Sequence, residues 1–274
     1  MALAQSTVVI TGAARGIGRC IAETFARLDA HIALLDRLDA ELADAARAIT
    51  DAGGQALPLH ADITDPTQVD HALTQIAERF SPPHVLINNA GTFSHIGPTW
   101  EADPDAWFGD TRVNLFGAFL CCRAALPSMV ERGSGRIINM VAAGGVGDPH
   151  AHCTSYAVSK TALMRLTEGL AAECQPHHVQ VFALAPPAIT SAMTEFIARS
   201  EGGRRYRPTF AHAFDAGFEH TPQMVADWCV RLARGDADAL TGRYIRVTDD
   251  PDALLAEADR IQADDLRTLR IREL

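Results

Sequence analysis

A tyrosine and a lysine stand four residues apart at Tyr156 and Lys160. On a helix this spacing puts both side chains on one face, so the ammonium group lies near the phenol. A free tyrosine has a pKa of about 10, which is too high for an efficient base at neutral pH. A fixed neighbouring cation favours the phenolate and lowers that pKa. Lys160 is the only lysine in the chain, and we predict that the two residues form a proton-transferring pair.

A second segment with chemical potential is Thr11–Gly18, which carries three glycines. It follows an apolar run and opens a helical pattern, so backbone amides and a helix N-terminus would meet there. Glycines let such a loop turn tightly and approach a pyrophosphate. The glycine spacing alone is a weak signal, and its position between strand and helix is what predicts a dinucleotide site.

The cofactor type depends on Asp36, which ends the second apolar run 18 residues beyond Gly18. A carboxylate at that point accepts hydrogen bonds from both adenosine ribose hydroxyls and repels a 2′-phosphate. Arg37 argues the other way, since a guanidinium there can receive the phosphate. A solvated residue at a strand end is the remaining alternative for Asp36. The sequence favours NAD over NADP.

These groups must be positioned by alternating strands and helices. Short β-branched runs, which predict strands, lie at 7–10, 31–35, 56–60, 85–87, 136–140, 179–185 and 243–247. Helical patterns lie near 17–28, 39–52, 66–80, 104–131, 156–175 and 222–234. Near-continuous apolar strands joined by crossover helices predict an α/β fold of Rossmann type, a doubly wound parallel sheet. Its ligand crevice is expected at the carboxyl ends of the strands.

The chain contains no linker, repeat or low-complexity tract that would divide it. We therefore expect a single NAD-binding catalytic domain over residues 1–250, followed by a C-terminal helical extension over 251–274. Pro251 opens this extension. An apolar face follows it, made of Leu254, Leu255, Ala258 and Ile261.

Composition excludes several classes of partner. The formal net charge is −10, from 34 acidic and 24 basic residues, which argues against nucleic acid because phosphate contacts need clustered cations. The six cysteines show no disulfide or metal spacing, which is typical of a reducing compartment. No apolar stretch approaches the ~20 residues that span a bilayer. We expect a cytoplasmic protein with no membrane partner.

Over about residues 5–250 the sequence resembles the short-chain dehydrogenase/reductase family. The landmarks occur in the family's order. They are Thr11–Gly18, Asp62 after the third strand, Asn88–Gly91 after the fourth, Asn114 in the fifth helix, and Tyr156–Lys160.

The resemblance implies an NAD(H)-dependent oxidoreductase that interconverts a secondary alcohol and a ketone, with Tyr156 as general acid and base. It gives Asn114 the task of holding a water that links Lys160 to solvent. It also implies a homotetramer, with a dimer as the alternative. The implied cofactor-binding residues are Gly12, Arg15, Gly16, Ile17, Gly18, Asp36, Asp62, Ile63, Asn88, Ala90, Gly91, Tyr156, Lys160, Pro186, Ile189 and Ser191.

The family pattern is broken where a serine usually ends the fifth strand. Counting from the strand puts that position at Ala142, and counting back from Tyr156 puts it at Ala143, which indicates an insertion. The serine donates a second hydrogen bond to the substrate oxygen, and losing such a donor costs ~3–4 kcal/mol of transition-state stabilisation. Three readings stay open: another group replaces it, the substrate polarises itself, or the enzyme has left carbonyl chemistry. The loop offers His150, His152, Thr154 and Ser155 as replacements.

A second departure follows the sixth strand, where Pro187 replaces a glycine and Ser191 a threonine. By resemblance the next segment, 193–220, is a flap over the substrate. Phe210, Phe214 and Phe218 recur there every four residues, which predicts one helical face. That face is either core packing or an apolar lid for a hydrophobic substrate.

The candidate substrate-pocket residues are Ala142, Ala143, His150, His152, Phe210 and Phe214. Two histidines without an acidic or thiol neighbour do not make a metal site, so no metal is predicted. Two other functions remain as alternatives: a non-redox enzyme on this fold, such as a dehydratase or isomerase, and an NAD(H)-binding regulator. The Tyr156, Lys160 and Asn114 set weighs against a regulator, which has no need of a proton relay.

Overall fold

The fold is a seven-stranded, all-parallel sheet with helices on both faces, seen in a computed structural model that describes residues 3–143 and 150–271. The strands are β1 (Thr7–Thr11), β2 (His31–Asp36), β3 (Gln55–His60), β4 (Val85–Asn88), β5 (Gly135–Met140), β6 (Val179–Ala185) and β7 (Tyr244–Arg246). The predicted doubly wound sheet is confirmed, with each predicted strand within one or two residues of its observed position.

Twelve α-helices connect and flank the strands in the described part of the chain. They are α1 (Gly16–Ala26), α2 (Asp39–Asp51), α3 (Pro66–Arg79), α4 (Pro104–Thr111), α5 (Ala118–Arg132), α6 (Thr154–Cys174), α7 (Ala192–Arg199), α8 (Glu201–Tyr206), α9 (Pro208–Ala216), α10 (Pro222–Arg234), α11 (Pro251–Ala256) and α12 (Ala258–Ala263).

The strand order is β3-β2-β1-β4-β5-β6-β7. The chain adds strands on one side of β1 up to β3 and then on the other side from β4 onwards, so the switch point lies between β1 and β4. Every residue of β1, β4 and β5 is buried, as expected for strands that are covered on both faces. Ligands of such sheets bind beyond the carboxyl ends of the strands at the switch point. The loops after β1 and β4 are therefore the ones that build a site.

The long helix that the sequence predicts near 104–131 is divided into α4 and α5 by a π-helical stretch, Arg112–Gly117. π-helical turns leave the ordinary ladder of backbone hydrogen bonds and are frequent at functional sites. The whole run Pro104–Arg132, with a mean hydropathy of 1.5, passes a test for a membrane span on length and composition alone. Helix α5 buries Leu120, Cys121, Ala125 and Met129 against the sheet, and core helices pass the same test.

The C-terminal extension packs on the domain. Leu254 and Ile261 join the core cluster beneath the sheet. Arg267 accepts a backbone hydrogen bond from Tyr244 at the outer edge of β7 (3.0 Å), and the Arg243 guanidinium donates to Asp265 (2.6 Å). The extension therefore closes the end of the sheet.

The segment 193–220 folds into three short helices, α7, α8 and α9. The predicted single aromatic face is wrong in part, because α9 ends at Ala216 and Gly217 takes a positive φ of 87°. Phe218 lies beyond that end and folds back. Its ring centroid is 5.5 Å from that of Phe210 and 5.8 Å from that of Phe214.

Candidate active site

The loops after β1, β2, β3 and β4 enclose a cleft of about 560 Å³, which we call the Gly12 cleft. Most of the cofactor residues predicted from the sequence line it. They are Gly12, Arg15, Gly16, Ile17, Asp36, Asp62, Ile63, Ala90, Gly91 and Ser191.

The glycine loop is held by steric fit and by β4. Gly12 has a φ of 66°, and a Cβ there would lie 2.8 Å from the Cα of Ala90. A Cβ on Gly18 would lie 2.1 Å from the carbonyl oxygen of Gly12. Glycine at this position therefore lets the start of α1 pack directly against the loop. The Asn89 side chain donates to the carbonyls of Thr11 and Gly12, each at 3.0 Å. Asn89 lines the cleft and was missed by sequence reasoning.

Asn88, in contrast, points into the protein. Its amide donates to Asn139 Oδ1 at 2.8 Å, and Asn139 in turn donates to Thr167 Oγ1 at 2.9 Å. This chain of buried hydrogen bonds ties β4 to β5 and α6. The resemblance placed Asn88 beside the cofactor, and its side chain acts here in the sheet.

Asp36 presents its carboxylate at the carboxyl end of β2. One oxygen accepts from the amide of Ala14 (3.0 Å) and the other from the amide of Arg37 (2.7 Å). The Arg37 guanidinium is turned towards Asp62, with 3.2 Å between Nη1 and Oδ2. Burial opposes ionisation of Asp62, but hydrogen bonds from Thr64 and the charge of Arg37 leave its pKa lowered.

A second cavity of about 270 Å³ opens from the Gly12 cleft, and we call it the Tyr156 cavity. The two share Ile17, Asn89, Gly91, Ser191 and Met193, so they meet at the ends of β1 and β4. The rest of the cavity wall comes from the end of β5, from α6, from the turn after β6 and from the 193–220 segment. Its other lining residues are Phe93, Met140, Val141, Ala142, His150, Tyr156, Lys160, Pro186, Pro187, Ala188, Ile189, Thr194, Ile197, Arg207 and Phe210.

Tyr156 and Lys160 share the predicted face of α6. The Lys160 Nζ lies 5.8 Å from the centroid of the Tyr156 ring and donates to the carbonyl of Met140 at 2.7 Å. Burial lowers the pKa of Lys160 to about 8, against the opposing influence of Asp110. Burial raises the pKa of Tyr156, and the negative charge of Asp110 raises it further. The phenol is therefore protonated at neutral pH, and the lowered pKa that the sequence predicted from a neighbouring cation is wrong because burial outweighs it.

Asn114 sits in the π-helical stretch and joins three elements. Its amide group donates to the carbonyl of Thr92 and to Ser159 Oγ, each at 2.9 Å, and its oxygen accepts from the amide of Thr92 at 2.8 Å. A Cβ on Gly91 would lie 3.0 Å from Asn114 Oδ1 and 3.5 Å from Lys160 Nζ. All three catalytic candidates are thus brought together.

A buried carboxylate, Asp110, holds the segments that carry Tyr156. It is fully buried and accepts hydrogen bonds from Thr92 Oγ1 (3.0 Å), from the amide and hydroxyl of Ser94 (3.0 and 2.7 Å) and from Ser155 Oγ (2.6 Å). Between Thr92 and Ser94, the Phe93 ring stacks on that of Tyr156, with 4.4 Å between centroids. Sequence reasoning missed Asp110, although an acid one turn before Asn114 on an apolar helix was a usable signal.

The serine position can now be located. Ala142 lines the Tyr156 cavity, whereas Ala143 is exposed. The loop predicted to carry an insertion includes residues 144–149, which lie outside the described residues. Among the four candidate replacements, Thr154 accepts from Trp107 Nε1 at 3.0 Å and Ser155 donates to Asp110.

The two loop histidines also differ in whether they line the Tyr156 cavity. His152 stacks on Tyr206, with 4.3 Å between ring centroids, while His150 lines the cavity beside Tyr156. Phe210 lines the cavity too. Phe214 instead lies near Arg199, whose guanidinium is 5.4 Å from its ring centroid. Ala143, His152 and Phe214 are therefore corrections to the predicted pocket, because the loop and the short α9 turn them elsewhere.

The turn after β6 keeps its predicted place despite Pro187. Pro186 and Ile189 line the Tyr156 cavity, and Ser191 caps α7 by accepting from the amide of Thr194 at 3.2 Å. In residues 3–143 and 150–271 no group of three or more histidine, cysteine or acidic side chains is arranged to hold a metal ion.

These cavities fit a dinucleotide. The open face of the glycine loop, where a Cβ on Gly16 would meet nothing within 4 Å, leaves room for a pyrophosphate. Asp36 stands where an adenosine ribose would lie, and the Tyr156 cavity adjoins the opposite end of the cleft. The Tyr156 phenol and the Lys160 ammonium both line that cavity, so it contains groups able to exchange a proton with a carbonyl or an alcohol.

Comparison with known proteins agrees with this arrangement. A family model described as short chain dehydrogenase matches residues 6–202. The chain belongs to the short-chain dehydrogenase family. Galactitol 2-dehydrogenase of Rhizobium johnstonii is 32% identical over 241 residues, which cover 87% of this chain and 92% of that protein. The family assignment made from the landmarks is confirmed.

Two solved structures extend the comparison. Levodione reductase is 26% identical with a TM-score of 0.81, covering 89% of this chain and 96% of its own. Gluconate 5-dehydrogenase from Burkholderia cenocepacia, in complex with NADP and tartrate, is 27% identical with a TM-score of 0.77, covering 88% of this chain and 92% of its own. As a short-chain dehydrogenase, the protein is an oxidoreductase of alcohol-type substrates that uses a nicotinamide cofactor.

Proposed function

We propose that this short-chain dehydrogenase interconverts a secondary alcohol and a ketone with NAD(H), and that Tyr156 is its general acid and base. The observation that carries the proposal is the position of Tyr156 and Lys160 in a cavity that opens from the dinucleotide cleft. A largely apolar wall, including Val141, Pro187 and Phe210, supports a hydrophobic substrate frame.

The chain's own residues manage the proton. A nicotinamide cofactor held in the Gly12 cleft would supply hydride for ketone reduction and accept it in alcohol oxidation. In ketone reduction Tyr156 gives its proton to the substrate oxygen, and the raised pKa of the phenol keeps that proton available at neutral pH. In alcohol oxidation the phenolate form of Tyr156, stabilised by the Lys160 ammonium, takes the proton of the alcohol and becomes the neutral phenol. Asn114 contacts the Lys160 helix through Ser159 and positions this pair.

The preference for NAD rests on Asp36. Its carboxylate ends β2 inside the cleft, and Arg37, the residue that would receive a 2′-phosphate, is paired with Asp62. A negative charge at the ribose favours the unphosphorylated cofactor. The Burkholderia relative binds NADP, so the two cofactors are compared directly in the test below.

The test follows reduced-nicotinamide absorbance with NAD or NADP and a panel of hydrophobic secondary alcohols and ketones. We expect a higher kcat/KM with NAD. Asp36→Ala removes a charge-assisted hydrogen bond and is expected to lower kcat/KM for NAD ~10- to 100-fold. Asp44→Ala, which changes an exposed acid on α2, is the matched control. Equal or better turnover of NADP by the unmodified protein would contradict the preference, and NADH binding without turnover would favour non-redox chemistry.

We also propose that His150 replaces the absent serine as the second hydrogen-bond donor to the substrate oxygen. It lines the cavity with Tyr156, and Thr154, Ser155 and His152 do not belong to that lining. His150→Ala is expected to lower kcat ~100-fold, as loss of one such donor does, and His150→Gln to restore part of it. His152→Ala is the control. A kcat that is unchanged in His150→Ala would show that the substrate provides its own polarisation.

A further inference from the structure

The Tyr156 cavity contains a second cation that the reaction does not use. Arg207 lines the cavity, together with Phe210 and Ile197, and is absent from the Gly12 cleft. Lys160 is the only other lysine or arginine in the described lining, which includes no aspartate or glutamate. In a protein with a formal net charge of −10, this cavity is a local positive region.

The Arg207 guanidinium has a neutral partner. It hydrogen-bonds to Cys153, a buried thiol whose pKa is raised by burial, so the sulfur is uncharged at neutral pH. Among the ion pairs of residues 3–143 and 150–271, none joins Arg207 to a carboxylate. Arg207 is half-buried, and a guanidinium beside an apolar wall can bind an anion through its planar fork of donors.

The backbone places this residue closely against the cavity. Arg207 is the C-cap residue of α8 and is followed at once by Pro208, the first residue of α9. A Cβ on Gly203 would lie 1.7 Å from the carbonyl of Ile197, and one on Gly202 would lie 2.0 Å from that of Ile96. The paired glycines let α8 lie directly on α7 and on the loop after β4. Larger residues would push Arg207 away from the cavity.

We propose that Arg207 binds an anionic group of the substrate, most simply a carboxylate, and so selects hydroxy acids and oxo acids with an apolar frame. The inference rests on the proposed redox function. Pyrophosphate of the cofactor does not supply this anion, because the glycine loop lies in the other cavity. Planar guanidinium groups bind carboxylates in bidentate fashion, which fixes orientation as well as affinity. The substrate would then be held at two points, its reacting oxygen at Tyr156 and its anion at Arg207.

The experiment compares three oxo acids with their methyl esters and primary amides. Benzoylformate, benzoylacetate and 3-benzoylpropionate place the carboxylate at increasing distance from the ketone. We expect the enzyme to prefer at least one acid over its own ester and amide. Arg207→Gln is expected to raise KM for that acid ~30- to 100-fold, with a much smaller change in kcat and in the ester's KM. Arg207→Lys should recover part of the loss.

The exposed neighbour Arg205 provides the matched control, since Arg205→Gln changes the same charge on the same helix outside the cavity. Thermal unfolding of each variant separates a folding defect from loss of the site. A wild-type enzyme that treats acids and neutral analogues alike, or an Arg207→Gln variant that impairs both equally, would overturn the proposal.

A binding measurement keeps this inference distinct from the redox proposal. Quenching of bound-NADH fluorescence by the same acids requires no turnover. Acid-selective quenching that Arg207→Gln removes would support the anion site even if no ketone is reduced. Turnover of neutral ketones without any acid-selective binding would leave the redox function in place and refute the site.

Discussion

Replacing Tyr156 by phenylalanine is expected to lower kcat by ~10²- to 10⁴-fold in both directions, because the proton donor and acceptor is removed. The ring and its stacking on Phe93 are kept, so NADH binding and the unfolding midpoint should change little. The measurements are steady-state turnover, NADH fluorescence titration and thermal unfolding on the same preparations.

Tyr244→Phe is the matched control for this prediction. It removes a phenol from β7, and Tyr244 lies outside both cavities. We expect its kcat to equal that of the unmodified enzyme. A Tyr156→Phe enzyme with undiminished turnover would exclude Tyr156 as the general acid and base.

Replacing Asp110 by alanine is expected to lower the free energy of unfolding by about 3 kcal/mol, since buried donors lose their acceptor. Thr92, Ser94 and Ser155 donate to this carboxylate from the two segments that hold Tyr156 in place. A displacement of Tyr156 on the order of 1 Å is expected to reduce kcat ~100-fold as well. Denaturant unfolding and turnover measure the two effects, and Asp105→Ala, an exposed acid on α4, is the control.

Asp110→Asn removes the negative charge of the carboxylate but keeps the size of the side chain, so it separates the two contributions. The amide keeps an acceptor oxygen for Ser94, while its nitrogen can donate to the hydroxyl of Ser155. The negative charge of Asp110 raises the pKa values of both Tyr156 and Lys160, so its removal lowers both. We expect the whole pH profile of alcohol oxidation to move to lower pH. A profile that stays in place while stability falls would assign Asp110 a purely structural role.

The sequence alone determined the sheet and the shared helix face of the proposed catalytic pair. The strands could be predicted from the apolar runs, because strands of a parallel sheet are buried on both faces and so consist almost entirely of apolar residues. Local spacing was enough for Tyr156 and Lys160, since a helix fixes which residues share a face. The glycine loop was found for a similar reason, as Gly12 requires a backbone conformation that other residues rarely adopt.

Only the tertiary structure decided which side chains from distant segments share a cavity. Asp110 and Ser155 are 45 residues apart in sequence yet hydrogen-bonded, and Arg207 reaches the cavity because α8 rests on α7. His150 and His152 are nearly adjacent in the chain, but the positive φ of 64° at His152 accompanies a ring turned onto Tyr206. Loop conformation and the packing of short helices depend on many weak long-range contacts, which cannot be predicted from local residue patterns.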